Sequence, residues 1–321
     1  MLTEATRADA APAAVDALGA AERSPRRRGR AATRRRSRVL TYIGLVTASC
    51  VAVFPLLFMV FSSFKEDRQI FADLGSLKAF LPTGRLSLDN YSGVFERVPA
   101  VRFIANSLIV TVAIVVLGLI VNSMIGFAIS RMRWRGKNIV LSLVLATLMV
   151  PFETIAVPLV YWVAKLPSLQ WVVDGFLVKQ GMLNTYQVQI LPFVANALSI
   201  FLFAQHFGDI PKEIDEAARV DGASWWVIYS RIIVPLSGPT FATVAIITML
   251  PAWNSYLWPL MVIQEESMRP ASVGMQYFFQ LNPVWGQIMA YGTLITLPVL
   301  IIFALFQRSF VASLAGTAVK G

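Results

Sequence analysis

The stretch FIANSLIVTVAIVVLGLIVNSMIGFAIS, residues 103–130, contains no charged residue and is apolar at most positions. A helix needs about 20 mainly apolar residues to cross the roughly 30 Å hydrocarbon core of a bilayer. Lipid offers the backbone no hydrogen-bonding partner, so a segment of this kind must be helical. The stretch therefore predicts a membrane-spanning helix that is long enough to tilt, and an all-α membrane protein as the fold class.

Five further segments pass the same test, and together they predict six membrane-spanning helices. In chain order the predicted spans are residues 39–61, 103–130, 139–163, 188–207, 234–263 and 287–306. The composition agrees with this interpretation, because 56% of the residues are hydrophobic and only 14% are charged, against roughly 25% charged residues in a soluble domain. We expect one six-span domain over residues 39–310.

Much of the formal net charge of +10 lies near the N-terminus. Nine arginines fall in RSPRRRGRAATRRRSR, residues 23–38. In a soluble chain such a charge would suggest nucleic-acid binding, but beside a membrane span it favours an arm that sets topology and contacts lipid. We predict that residues 1–38 form a disordered cytoplasmic tail, and no nucleic-acid partner is expected.

The orientation of the spans follows from the loop between the second and third of them. This loop, RMRWRGKN at residues 131–138, carries four basic residues and no acid. Basic loops remain in the cytoplasm, so this loop and both termini are predicted to lie inside, with residues 311–321 as a short cytoplasmic tail. The segments predicted to face outward are residues 62–102, 164–187 and 264–286.

A polar stretch between the fourth and fifth spans, EIDEAARVDGASWWVIYSRIIVPLSGP at residues 213–239, interrupts the apolar chain. Residues 211–220 begin with proline, which suits the first helical position, and continue with good helix formers. Gly222 can take the left-handed conformation that ends a helix, and Ser224 can cap a second helix. The stretch therefore predicts a short helix, a sharp turn and a second helix that leads into span five.

The first of these helices carries an apolar strip flanked by acids. Ile214, Ala217 and Ala218 share one face at spacings of three and four, and Glu213 and Glu216 lie beside them. Small alanines allow a close approach by a partner, and the acids can pair with basic groups. The residues alone support two readings equally, a docking site for a partner and an amphipathic loop that packs on its own bundle.

The same stretch resembles the EAA loop of permease subunits in bacterial ABC importers. The pattern consists of Glu216-Ala217-Ala218, Gly222 after three further residues, and Ile232 three residues before Pro235. The resemblance is to sugar permeases of the MalG type and covers residues 39–321. It extends through Asp221-Gly222-Ala223, Pro239, the run WNSYLWPL at residues 253–260 and the C-terminal GTAVKG.

The resemblance implies that the EAA loop, about residues 208–239, forms a coupling helix that seats on a cytoplasmic ATP-binding subunit. Glu216 would be the polar anchor, Ala217 and Ala218 the contact surface, and Gly222 the turn. Pro235 and Pro239 would fix where the second helix becomes span five, since proline lacks an amide hydrogen and restricts the residue before it. The predicted coupling residues are Glu216, Ala217, Ala218, Asp221, Gly222, Ala223 and Pro235.

The resemblance also implies partners and a location. These are ABC ATPase subunits, a second homologous permease subunit, an extracytoplasmic solute-binding protein, a sugar substrate and a bacterial inner membrane. A phosphate-binding P-loop needs glycine, four residues and then Gly-Lys-Ser/Thr, whereas the only Gly-Lys pair, Gly136-Lys137, has Arg131 and Asn138 at the flanking positions. We therefore expect no cofactor on this chain and no catalytic residue; ATP and Mg would bind the ATPase subunit.

Polar residues inside spans are costly and often face a cavity or a neighbouring helix. The candidates for the substrate path are Glu153, Trp253, Asn254 and Tyr256. The alternatives are structural pairing for Glu153, the only carboxylate in a predicted span, and interfacial anchoring for the aromatic residues. Asn122 is predicted to hydrogen bond a neighbouring helix.

No metal site is expected, because the chain has one cysteine, Cys50, and one histidine, His206. The scarcity of basic residues inside the spans favours a neutral sugar over an anionic solute. The alternative function is a secondary, ion-coupled transporter, for which Glu153 would be the one candidate for ion coupling. The EAA loop separates the two functions, since a secondary carrier has no ATPase to dock.

Overall fold

Helices account for most of the chain in a computed structural model that describes residues 26–172, 175–280 and 282–318. The helices, numbered here in chain order, are α1 (Arg26–Ser62), α2 (Asp67–Asp73), α3 (Asp89–Arg97), α4 (Ala100–Arg131), α5 (Lys137–Ala146), α6 (Phe152–Val163), α7 (Tyr186–Val194), α8 (Ala197–Asp209), α9 (Lys212–Val220), α10 (Trp225–Leu236), α11 (Gly238–Trp253), α12 (Leu257–Val262), α13 (Ala271–Gly274) and α14 (Trp285–Ala318).

The chain divides into two units, Met1–Phe58 and Met59–Gly321. In the first unit, α1 begins at Arg26, inside the segment that the sequence analysis assigns to a disordered tail. The remainder of that predicted tail, residues 1–25, lies outside the described residues. At the other end of the chain, α14 continues to Ala318, well past the predicted end of span six and into the predicted C-terminal tail.

Three helices are individually long and apolar enough to cross a membrane, namely segments of α1, α4 and α14. Three further candidates are pairs of helices that pass the same test only when taken together. Within the described residues the count therefore runs from three spans to six, and six is reached when each bent pair is one span. By length and composition, the second unit fits a multi-pass membrane protein.

The three bent pairs correct the prediction of continuous spans three, four and five. The pair made of α5 with its 3-10 extension to Met149 and α6 bends by 102°, the pair α7–α8 by 42°, and the pair α10–α11 by 80°. Span five is also shorter than predicted, because α11 ends at Trp253 and α12 starts only at Leu257. The breaks fall at Pro151, Asn196 and Ser237, and the sequence carried a sign of the first of them, because Pro151 and Pro158 can break a helix in span three.

The prediction of an all-α chain was wrong in one segment. Strands β1 (Pro167–Val172) and β2 (Gly175–Gln180) form an antiparallel hairpin with Ser168 opposite Lys179. The Gln187 side-chain amide accepts a hydrogen bond from the backbone N–H of Leu169 at 3.0 Å and donates one to its carbonyl oxygen. The hairpin is thereby joined to the start of α7.

Helix α4 is the central helix of the second unit, with α7, α8 and α11 packed along it. Gly126 permits the closest approach, because a Cβ at this position would lie 2.6 Å from Phe203 Cβ of α8. A cluster of buried aromatic and aliphatic side chains joins α4, α8 and α11 to α10, and includes Phe127, Phe203, Phe207, Ile228 and Tyr229. The two ends of α4 are named here the Ala100 end and the Arg131 end.

Asn122 of α4 bridges the break between α7 and α8, which confirms the predicted bond to a neighbouring helix. Its Nδ2 donates to the carbonyl oxygen of Val194 at 2.9 Å, and its Oδ1 accepts from the N–H of Asn196, also at 2.9 Å. Both backbone groups belong to the bend, where no helical partner is available. One buried amide therefore satisfies the two peptide groups that the bend leaves open.

Candidate functional site

The segment between α8 and α11 folds as the predicted helix, turn and helix. Helix α9 runs from Lys212 to Val220, and Gly222 follows with a positive φ of 82°. The N–H of Ala223 donates to Ala218 O at 2.9 Å, and that of Gly222 donates to Arg219 O at 3.1 Å. This is the Schellman pattern, in which a left-handed residue closes the helix. Gly222 therefore has the turn role that the sequence predicts.

The second helix, α10, begins as predicted at a serine cap. The Ser224 hydroxyl accepts a hydrogen bond from the N–H of Val227 at 3.3 Å. A π-helical segment follows at Ile228–Ile233, and within it the hydroxyl groups of Tyr229 and Ser123 of α4 are 2.8 Å apart. Because this contact is buried, it fixes the position of α10 along α4.

Pro235 does not mark the point where α10 ends. It lies inside the last helical turn, and the chain changes direction at Ser237, whose hydroxyl donates to Ile233 O at 2.7 Å. Pro239 occupies the first turn of α11, a position that proline tolerates because the N–H there needs no helical partner. The junction into the fifth span therefore rests on Ser237 and Pro239.

An ion pair that the sequence analysis missed joins α9 to the Arg131 end of α4. Asp215 Oδ2 lies 3.3 Å from Arg131 Nη1, and the residues are only 6% and 7% exposed. Arg131 Nη2 also donates to Ile210 O at 2.8 Å. Because Asp215 and Arg131 are far apart in the chain, no local sequence pattern could have predicted that they pair. The only signal in the sequence was a second carboxylate, Asp215, directly before Glu216.

The Asp215 carboxyl has a raised pKa because burial disfavours its charged form. The Arg131 guanidinium acts in the opposite direction, and the nearby Glu216 carboxylate adds to the increase. Burial outweighs the ion pair, as is common where two charges leave water together. Within the described residues, Asp215 Oδ1 and Arg131 Nε have no hydrogen-bonding partner. Burial of this ion pair is therefore unfavourable in free energy, and the packing of the residues around it has to offset that cost.

The two faces of α9 differ in what they contact. Ile214 and Ala218 are half-buried, and Ala218 packs on the cluster around Phe127. Glu216, Ala217 and Val220 are exposed, Val220 to 88%. Ala218 therefore departs from the expectation that it forms an outward contact surface with Ala217. Glu213 is exposed as well, so the free face of α9 is acidic with one small apolar residue at its centre.

The remaining predicted coupling residues lie at the turn. Asp221 is exposed and occupies the C-cap position of α9. Ala223 is half-buried against the Phe127 cluster, and its carbonyl oxygen accepts a hydrogen bond from Arg219 Nη1 at 3.1 Å. All seven predicted coupling residues thus belong to one connected element, which the structure divides into a packed side and an exposed side.

The predicted substrate-path residues are not brought together. Glu153 is exposed in the first turn of α6. Trp253 is buried at the end of α11, whereas Asn254 and Tyr256 are exposed, and Asn254 Nδ2 donates to Leu250 O of its own helix at 3.0 Å. None of the four lines the cavity that lies among the helices, so the geometry does not support them as one site.

That cavity has a volume of about 230 Å³ and lies near the Ala100 end of α4. Its walls come from α4, α7, α8 and α11, with a contribution from the segment around α12 and α13. Polar side chains line it at Ser107, Gln189, Asn196, Thr248 and Ser255, and apolar ones include Val110, Ile114, Phe193 and Ile247. Sequence reasoning did not single out Gln189, although a glutamine one residue after the start of the predicted span four was a visible signal.

A search for metal-binding groups of three or more His, Cys, Asp or Glu residues finds none in the described part of the chain. Cys50 is a free, exposed cysteine on α1. His206 lies near the end of α8 and contacts the ring of Phe207, with 6.2 Å between ring centroids.

Comparison with known proteins assigns this architecture to a family. Residues 114–316 match the family described as "Binding-protein-dependent transport system inner membrane component". The chain is 34% identical to the arabinooligosaccharides transport system permease protein AraQ of Halalkalibacterium halodurans, over 88% of this chain and 96% of the relative. It is 31% identical to the trehalose/maltose transport system permease protein MalG of Thermococcus litoralis, over 88% and 97% of the respective chains.

The fold is also found in a solved transporter. The crystal structure of a bacterial ABC transporter involved in the import of the acidic polysaccharide alginate contains a similar chain, with a TM-score of 0.70 and 21% sequence identity. The superposition covers 86% of this chain and 97% of that one. At this identity the likeness concerns the fold alone.

Proposed function

Because the chain belongs to the family of binding-protein-dependent transport system inner membrane components, the permeases of ABC importers, we propose that it forms half of the translocation path of an ATP-driven importer for a neutral carbohydrate. In this proposal the chain docks a separate ATPase through α9. The chain hydrolyses no ATP itself; ATP and Mg bind the ATPase subunit. A second homologous permease and an extracytoplasmic solute-binding protein complete the transporter.

The geometry of α9 is the observation that carries the coupling role. The side of α9 that carries Asp215 is fixed to α4 through the buried Asp215–Arg131 pair. The other side is exposed and carries Glu213, Glu216 and Ala217. An element that transmits movement needs both properties, a rigid connection to the spans and an accessible surface for the partner. A loop that only packed on its own bundle would not need an exposed acidic face.

The proposed orientation places the Arg131 end of α4 in the cytoplasm. Arg133, Arg135 and Lys137 follow at this end, and Arg133 and Arg135 are exposed, as expected for a loop that the positive-inside rule retains in the cytoplasm. Both termini of the chain then lie in the cytoplasm as well. The β-hairpin and the cavity lie toward the Ala100 end, on the side where a solute-binding protein would deliver its cargo.

The character of the cavity supports a neutral solute. Among the described residues that line it there is no aspartate, glutamate, lysine or arginine. An anionic solute leaving water would need a compensating charge, because an unpaired buried charge is very costly. The relatives include permeases named for arabinooligosaccharides, for lactose and for trehalose or maltose, so a carbohydrate is the proposed class.

The first experiment is purification of the tagged chain from its native membrane in mild detergent, with identification of every protein present in stoichiometric amount. We expect an ATP-binding subunit and a second permease. Recovery of the chain alone, or as a homo-oligomer with solute uptake driven by an ion gradient, would contradict the proposal and favour a secondary transporter. The solute-binding protein is then assayed for binding of neutral sugars, of sn-glycerol 3-phosphate and of an oligouronate.

A further inference from the structure

The cavity near the Ala100 end contains a buried amide whose hydrogen-bonding capacity is only partly used. Gln189 is 1% exposed, and its Nε2 donates to Met268 O at 3.3 Å. Its Oε1 accepts no hydrogen bond from any group in the described part of the chain. A buried acceptor without a donor is unfavourable, so a group that brings a donor into the cavity is bound more tightly there.

Phe193 provides an apolar wall one helical turn further along α7, on the same side as Gln189. Its ring is held by two other aromatic rings, Phe152 at 5.3 Å and Trp258 at 6.3 Å between centroids. Trp258 is itself fixed by a hydrogen bond from Nε1 to Val188 O at 2.8 Å. The cavity thus presents a rigid aromatic surface next to an amide acceptor.

This combination matches one ring of a sugar. Such a ring has apolar C–H faces that pack on an aromatic surface, and hydroxyl groups that both donate and accept hydrogen bonds. The volume of about 230 Å³ is below the range of about 300–1,000 Å³ typical of pockets for drug-sized ligands, so it holds one ring of an oligosaccharide at a time. The lack of charged lining residues, stated above, requires that ring to be neutral.

The cavity is also placed where a bound ring would contact both halves of a bent span. Gln189 and Phe193 belong to α7, whereas Asn196 and Leu198 follow the bend that Asn122 bridges. Thr248 of α11 also lines the cavity, with its hydroxyl 3.5 Å from that of Ser199. A ring in the cavity is therefore in contact with three helices, α7, α8 and α11.

We propose that this cavity is a subsite for one neutral, hydroxylated ring of the transported solute, and that Gln189 Oε1 accepts a hydrogen bond from a hydroxyl group of that ring. The assignment rests on the proposed function and adds to it a specificity-determining residue on this chain. It also replaces Glu153, Trp253, Asn254 and Tyr256 as the residues that contact the solute.

The test uses the assembled transporter, reconstituted in liposomes with its ATPase, its second permease and a saturating amount of its solute-binding protein. Uptake is measured for radiolabelled maltose, lactose and arabinotriose, and the best substrate is compared with its monodeoxy analogues. We expect Gln189→Leu to slow uptake of the parent sugar about 10-fold and to transport one analogue as fast as the parent. Gln189→Glu keeps an acceptor and is expected to retain the discrimination against that analogue.

The comparison is made between variants that share one solute-binding protein, so any preference of that protein cancels. Gln205→Leu is the matched control, because Gln205 is an exposed glutamine on α8 outside the cavity, and its uptake should equal that of the wild type. If Gln189→Leu does not assemble with its partners, Thr248→Val removes a hydroxyl at nearly constant volume and is expected to lose discrimination against at least one analogue.

The possible failures can be told apart. If the wild-type complex moves none of the sugars under ATP, the proposed function fails. If the wild type transports a sugar while Gln189→Leu, or Thr248→Val in its place, keeps both the wild-type rate and the wild-type discrimination among analogues, the proposed function stands and the subsite is overturned.

Discussion

Asp215 and Arg131 form a buried pair at 3.3 Å in which the arginine, not the aspartate, has the second anchor, a hydrogen bond to Ile210 O at 2.8 Å. The two partners are therefore not equivalent. Loss of the arginine removes the ion pair and the hydrogen bond to Ile210 O together, whereas loss of the negative charge leaves an arginine that keeps this hydrogen bond. This asymmetry leads to the first prediction.

We expect Arg131→Gln to lower the free energy of unfolding of the purified complex by about 3 kcal/mol, because the buried ion pair and the hydrogen bond to Ile210 O are both lost. Asp215→Asn should cost only about 1 kcal/mol, as for one hydrogen bond. Thermal unfolding in detergent measures both. Arg133→Gln, an exposed arginine two residues away, is the control and should leave the unfolding temperature unchanged. Equal losses for the two buried variants would contradict the asymmetry.

The raised pKa of Asp215 predicts a pH dependence with a definite sign. Its folded pKa lies above the ordinary value of 3.8, so between these two values the folded state binds more protons than the unfolded state. The contribution of Asp215 to the free energy of unfolding is therefore greatest below pH 3.8 and falls as pH rises through the folded pKa.

This dependence is measured as the difference in unfolding temperature between the wild type and Asp215→Asn, from pH 4 to pH 7. The amide does not titrate, so the wild type should lose stability relative to the variant as pH rises. A difference that stays constant across the range, or one that changes in the opposite direction, would show that the carboxyl pKa is not raised in the folded protein.

The exposed face of α9 predicts a variant that loses coupling without losing stability. Glu216→Lys reverses a charge on that face, so we expect the ATPase subunit to co-purify poorly and solute uptake to fall at least 10-fold, with an unchanged unfolding temperature. Glu96→Lys is the control, because Glu96 is an exposed glutamate on α3, far along the chain from α9. Normal uptake by Glu216→Lys would remove the docking role of this face.

Gly222 and Gly208 offer a matched pair for the turn. A Cβ at either position would meet no atom within 4 Å, but only Gly222 has a positive φ, 82°. We expect Gly222→Ala to destabilise by about 1–2 kcal/mol through its backbone alone, whereas Gly208→Ala in α8 should stabilise by about 1 kcal/mol. Thermal unfolding gives both values. Equal effects would mean that the left-handed turn is not required.

Asn122 provides a prediction for the bend between α7 and α8. Asn122→Leu leaves Val194 O and the N–H of Asn196 without their side-chain partner, so we expect a loss of about 2–4 kcal/mol, for two unsatisfied groups. Asn254→Leu is the control, because that amide bonds only its own helix from an exposed position. A loss of less than 0.5 kcal/mol, on the order of the effect of an ordinary surface change, would show that the bend needs no bridge.

The sequence was sufficient for features whose cause is local. Apolar length predicted the three helices that are individually long enough to span a membrane, and the capping pattern placed α9, Gly222 and Ser224 correctly. The sequence was not sufficient where distant residues decide the structure. The inward side of Asp215 depends on Arg131, which comes from another helix. Asn122 was an exception, because a buried amide needs a partner whatever its neighbours are.

The candidate solute contacts show the same limit. The side-chain chemistry of Trp253, Asn254 and Tyr256 was the reason for predicting them. Whether such a residue reaches a cavity depends on where its helix ends. Helix α11 ends at Trp253, and Asn254 and Tyr256 after it are exposed. The side chain of Gln189 is chemically less distinctive than a tryptophan or a tyrosine. Only the arrangement of α4, α7 and α11 around the cavity shows that it lines this cavity. The predicted residues stay a prediction, and Gln189 is the residue that the proposed subsite puts in their place.

The attachment of α9 has a mechanical consequence. In the proposed coupling, a push on the exposed face of α9 would reach the spans by two routes, one through the Arg131 guanidinium into α4 and the other through the Gly222 turn and α10 into α11. Both helices line the same cavity. If α4 and α11 are displaced by the same amount, the cavity keeps its shape. If one helix is displaced more than the other, the cavity becomes wider or narrower. The quantity that changes the cavity is therefore the displacement of α4 relative to α11.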